Sequence, residues 1–111
     1  QVKKFTNNFK KILICLDSNH THDHVLKELK LYAPLVSKGS YCIVYDTIIE
    51  DFPNNPNRPW GKSNNPKTAI LEYLKYLKNN KKKNKVKFII DKKIQDQLLI
   101  TAAADGFLQR Q

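Results

Sequence analysis

Two short apolar runs, each closed by an acid and separated by one helical stretch, set the narrowest limits on this chain. "KILICLD" covers residues 11–17 and "YCIVYD" covers residues 41–46. Between them Val25, Leu29, Tyr32, Ala33 and Val36 recur at helical spacing while Lys27, Glu28 and Lys30 fall elsewhere, which predicts an amphipathic helix over 22–36. "SKGS" at 37–40 supplies a glycine stop. A strand–helix–strand unit with a crossover of this length joins parallel strands through a right-handed connection. Uninterrupted apolar runs also predict strands covered on both faces.

Beyond the second run, "TIIEDFPNNPNRPWGKSNNP" at 47–66 holds four of the five prolines, so it reads as a long connection. Connections of that length inside compact domains are functional or disordered. Asn65 followed by Pro66 is the pattern of an N-cap with proline in the first turn. It predicts a helix from 66 to about 79, with Ala69, Ile70, Tyr73, Leu74 and Leu77 toward the sheet. "VKFIID" (86–91) predicts a strand, and "QLLITAAADGFLQR" (97–110) a last strand pairing antiparallel. The expected class is therefore α/β: the second half of an open sheet, mostly parallel with an antiparallel final strand. A half sheet is not expected to fold alone. The chain also begins without Met and as if in mid-helix, so it reads as a piece of a longer protein.

A length of 111 residues suits one small domain with a single core. The net charge of +10 is concentrated in "KNNKKKNKVK" at 78–87. That tract has no arginine-rich face and no interleaved aromatic residues for base stacking, so it reads as a solvated loop and not as a nucleic-acid site. Cys15 and Cys42 each lie inside an apolar run without zinc-type spacing, which predicts buried free thiols and a reducing, cytoplasmic setting. No apolar run approaches the roughly 18 residues of a membrane-spanning helix, and the start does not resemble a signal peptide. Neither nucleic acid nor membrane is expected as a partner. A small molecule is, and a homo-oligomer stays open.

In open parallel sheets, ligands bind outside the carboxyl ends of the strands. Asp17 and Asp46 close the two runs, so neighbouring strands would set both carboxylates on one rim, ready to share a hard cation such as Mg²⁺. His20 would stand on the same rim, and an imidazole that titrates near neutral pH suits a general base. The same residues equally fit a cap or turn with solvated side chains. His22 reads as exposed, and His24 as a capping or packing residue at the helix start. Three alternating histidines in a turn seldom converge on zinc. The H-x-D/E element of a non-haem iron oxygenase is absent, which weighs against a hydroxylase.

"LDSNHTHDHVLKELKLYAPLVSKGSYCIVYDTIIED" and "RPWGKSNNPKTAI" together resemble the cephalosporin hydroxylase family, also called rhamnosyl O-methyltransferases, over residues 11–109. The specific parts are the D-S-x-H turn, the helix with its stop, the D-T-I strand end and the W-G-x-x-N-N-P loop. The resemblance implies the Rossmann-like fold of class I methyltransferases that use S-adenosylmethionine, with methyl transfer to a hydroxyl such as one on a sugar. It implies Asp17 and Asp46 as Mg²⁺ ligands and His20 as the base. Trp60, Gly61, Asn65 and Pro66 would border the acceptor, although Trp60 fits a packed loop anchor equally well.

Two departures stand out. Tyr45 occupies the place of the Glu in the family's paired acids, removing one candidate ligand. The three glycines, Gly39, Gly61 and Gly106, form no G-x-G turn, so the cofactor-binding half would lie upstream of Gln1. Residues 1–111 would then be the C-terminal part of one methyltransferase-like domain, inactive by itself. A non-catalytic or truncated relative serving as a binding or scaffold domain is the competing expectation.

Overall fold

Leu16, Cys42, Val44 and Leu108 alternate along their strands with residues of the opposite face, and they form the floor of the core. The computed structural model describes residues 1–80 and 85–111. The middle of the Lys/Asn tract, whose reading as a solvated loop was drawn from composition, lies outside the described residues. Four strands, β1 (Ile14–Leu16), β2 (Tyr41–Val44), β3 (Phe88–Ile90) and β4 (Phe107–Arg110), make one sheet in the order β1-β2-β4-β3. β1 pairs parallel with β2, with Ile14 opposite Cys42 and Leu16 opposite Val44. β4 lies between β2 and β3 and is antiparallel to both, so the other three strands share one direction. The result is a mixed α/β sheet with the reversed last strand that the sequence implied.

The helices are α1 (Val2–Thr6), α2 (His22–Tyr32), α3 (Pro66–Asn79) and α4 (Lys92–Gln97). Val25, Leu26, Leu29 and Ala33 from α2 and its extension meet Ala69, Ile70, Tyr73 and Leu77 of α3 over the sheet. α3 begins where Asn65-Pro66 predicted: the Asn65 side chain accepts from the Lys67 and Thr68 backbone N–H groups, and Thr68 closes a capping box.

Three expectations need correction. The helix predicted to run to 36 ends at Tyr32 and tightens into a 3₁₀ turn over Ala33–Leu35, because Pro34 has no N–H to continue the α-helical ladder. The stretch 97–110 is not one strand: α4, capped by the Asp91 carboxylate accepting from the Lys93 N–H, runs to Gln97, and an irregular segment follows. Only residues from Phe107 onward pair. Gly106 permits that start, since a Cβ there would collide with the carbonyl oxygens of Val44 and Ala103.

The third correction concerns burial. The helices cover one face of the sheet, and Cys15, Tyr45 and Ile89 on the other are exposed. Cys42 is buried as expected but Cys15 is not. An unbroken apolar run cannot distinguish a strand covered twice from one whose second face is bare among the described residues.

Candidate functional site

Parallel pairing of β1 and β2 puts their carboxyl ends side by side, and the residues just beyond them converge. Asp17, His20 and Asp46 each offer a ligand atom, and the three atoms lie within 4.8 Å of one another. His20 Nε2 is 3.2 Å from Asp46 Oδ2, both side chains being partly shielded, while Asp17 is exposed. Asp46 has a left-handed backbone, φ 55°, and leads into a 3₁₀ turn at Thr47–Asp51. That conformation turns the chain sharply off β2 while keeping the carboxylate beside His20.

The loop that carries His20 is held from several sides. Asn19 accepts from the Thr21 N–H and hydroxyl at 2.9 and 2.7 Å, fixing a local turn. The Ser18 hydroxyl donates to Glu28 Oε1 at 2.9 Å and lies 3.0 Å from His24 Nε2. His24 therefore locks the start of α2, in keeping with its expected place. His22 was expected to be exposed and is not: its ring sits between Thr68 Oγ1 at 2.8 Å and Glu72 Oε2 at 3.0 Å, and its N–H donates to Asn64 Oδ1. It ties α2 to α3. The three histidines point to three different partners and do not converge on a zinc site.

The long connection after Asp46 is ordered by its own side chains. Gly61 and Asn64 form an isolated bridge, and the Asn54 side chain crowds Gly61 where any Cβ would sit. Asn65 is fully buried, and its amide donates to the Glu50 carboxylate and to the Gly61 carbonyl. Glu50 also receives the Ser63 N–H at 2.9 Å. That backbone donor, then the Asn65 amide, holds the Glu50 carboxyl below its ordinary value.

Against the acid–histidine cluster lies an open cleft of about 520 Å³. His20 and Asp46 line one part of it, and Ile48, Phe52, Arg58 and Trp60 line others. The Trp60 ring meets His20 edge to face, with centroids 4.9 Å apart at 87°. Of the loop residues expected to border an acceptor, Trp60 lines this cleft. Gly61 and Asn65 do not line it; their atoms are spent on holding the loop. Tyr45 is exposed on the bare sheet face. Nothing in the sequence singled out Glu50 or Arg58, and His22 read as exposed. The loop residues had no periodicity to flag them, and the partners of His22 lie 46 and 50 residues away.

Two carboxylates beside one imidazole, open on one side, suit a hard divalent cation that keeps positions for other oxygen ligands. They equally suit proton transfer at a hydroxyl brought against His20. Among the described residues no helix is long and apolar enough to cross a membrane.

Comparison with known proteins identifies the family. The rhamnosyl O-methyltransferase of Mycobacterium tuberculosis is 34% identical over 111 residues, covering 99% of this chain and 41% of that protein. That of Mycobacterium bovis matches to the same extent. The Mycobacterium leprae protein of the same name is 37% identical over 57 residues. The chain thus spans about two-fifths of the length of the relatives it matches end to end. No solved structure matches. The profile of the rhamnosyl O-methyltransferase/CmcI family covers residues 1–111 without a break, and the chain belongs to that family.

Proposed function

We propose that this chain is the C-terminal part of an S-adenosylmethionine-dependent O-methyltransferase whose acceptor is a hydroxyl, in keeping with relatives named for a rhamnosyl group, on a sugar. The observation that carries the reading is the convergence of Asp17, His20 and Asp46 at the mouth of a cleft. In this reading the sheet is the second half of a Rossmann-like open sheet, and the donor-binding half precedes Gln1.

Asp17 and Asp46 would hold Mg²⁺, which would supply charge to polarise the acceptor oxygen. His20 removes the hydroxyl proton, and the neighbouring Asp46 carboxylate orients the imidazole and balances its charge once protonated. Trp60, set edge to face with His20, would cover one side of the imidazole. The cleft walls would hold the acceptor with its hydroxyl against His20, and positioning would supply much of the acceleration.

Calorimetric titration of S-adenosylmethionine into the full-length protein, with and without Mg²⁺, tests the reading. Binding of the donor, and methyl transfer lost in His20→Ala, is the expected result. Tyr45 in place of a second acid favours one other reading, a relative that retains the fold as a binding or scaffold domain. No donor binding by a folded full-length protein would establish that alternative.

A further inference from the structure

Two adjacent asparagines hold the chain on both sides of Trp60. Asn64 exchanges backbone hydrogen bonds with Gly61, each at 3.0 Å, and its side-chain Nδ2 donates to the Pro59 carbonyl at 2.8 Å. Asn65, fully buried, donates from its amide to the Gly61 carbonyl at 2.9 Å and to Glu50. Pro59 and Gly61 are the chain neighbours of Trp60. The pair therefore fixes the backbone from which the indole projects.

The other end of the Asn64 side chain reaches a different element. Its Oδ1 accepts the His22 N–H at 2.9 Å. That N–H is the first of α2 and has no intrahelical acceptor, and Thr21 at the N-cap makes no side-chain capping bond. A residue 42 positions away supplies the acceptor instead. Among the described residues this is the one hydrogen bond that joins residues 17–22 to residues 47–64. A backbone N–H can only donate and a proline carbonyl can only accept, so a single orientation of the amide serves both ends. One planar group thus spans from the residue before Trp60 to the residue two beyond His20.

We infer that Asn64 is a positioning residue. Its amide couples the loop of His20 to the loop of Trp60 and, with Asn65 as the buried anchor, sets the edge-to-face contact of the two rings, 4.9 Å between centroids. The inference deepens the reading of His20 as base and rests on it. Asn64 does not line the cleft; it acts through the placement of the imidazole and indole that do, and a misplacement of about 1 Å can cost on the order of a hundredfold in rate. Because Asn64 is exposed, its bonds compete with water and add little to global stability. Placement and stability can therefore be separated.

The test reads the nuclear Overhauser cross-peak between the ring protons of His20 and Trp60 in the full-length protein, assigned with His20→Gln and Trp60→Phe. The cross-peak is expected in the parent. Its loss is expected in Asn64→Ala, and in Asn64→Asp, which keeps an acceptor for the His22 N–H but offers Pro59 no donor. Thermal midpoints of both variants are expected within about 4 °C of the parent. Asn80→Ala removes an amide contact with Tyr76 at the far end of α3 and is expected to keep the cross-peak. A cross-peak absent from the parent, or persistent in either Asn64 variant, would overturn the inference. So would its loss in Asn80→Ala, because the ring contact would then follow stability and not Asn64. S-adenosylmethionine binding is measured on the same parent sample. Donor binding with a cross-peak that persists in the variants leaves methyl transfer standing and removes this inference. A cross-peak lost in both variants, without donor binding by the parent, leaves the coupling standing and removes the reaction it would serve.

Discussion

Asp46 combines a proposed ligand position with a left-handed backbone, φ 55°, where most L-residues are disfavoured by about 1–2 kcal/mol. Asn tolerates that region nearly as well as Asp, so Asp46→Asn isolates the charge from the fold. Its thermal midpoint is expected to match the parent, while turnover of the full-length enzyme falls at least about a hundredfold, as for His20→Ala. Asp46→Val, by contrast, is expected to lose about 1–2 kcal/mol in denaturant unfolding through backbone strain alone. Near-normal turnover in both Asp46→Asn and His20→Ala would sink the mechanism. These residues were legible in the sequence because strand ends are fixed by topology: once two parallel strands are inferred, the acids that close them must share a rim. His22 was not legible in that way, since nothing local distinguishes a solvated imidazole from one held between Thr68 and Glu72.

At the scale of elements, the N-terminus of α3 and the loop before it form one unit. Asn-Pro disclosed the cap from sequence, but the dependence of the cap on Glu50, fifteen residues earlier, had no local signature. Asn65→Ala removes a buried cap and two further contacts, and is expected to cost about 2 kcal/mol or more in urea unfolding. The Glu50 carboxyl is held below 4.5 by the Ser63 N–H and the Asn65 amide. Its contribution is therefore complete above that ordinary value and is lost as pH falls through the lowered one. In Glu50→Gln, the acid limb of a stability–pH profile should be shallower below pH 4.5, with lower stability at neutral pH. The boundary errors elsewhere have equally physical sources: Pro34 tightened a helix tail that side-chain periodicity would have extended, and "KKIQDQ" after Asp91 formed a helical turn too short to show a period.

Over the whole molecule, the sheet is two-faced. Cys42 lies under the helices and burial pushes its thiol up to about 12, whereas Cys15 stands on the opposite face. In the folded protein Cys15 is expected to react with iodoacetamide well before Cys42, and in urea both react alike, as read at each cysteine by peptide mass spectrometry. Equal labelling of both in buffer would contradict the assigned faces. The sequence disclosed the class of the sheet and the place of its rim, because apolar runs and the Gly39 stop mark strands and crossovers. It could not disclose which face is bare, since Cys15, Ile43 and Ile89 are as apolar as their buried neighbours. The position of β4 has a further consequence in time. Phe107–Arg110 are made last of the four strands, yet they supply the hydrogen bonds on one side of both β2 and β3. Until they are made, β3 has no partner among the described strands and one edge of β2 stays unpaired.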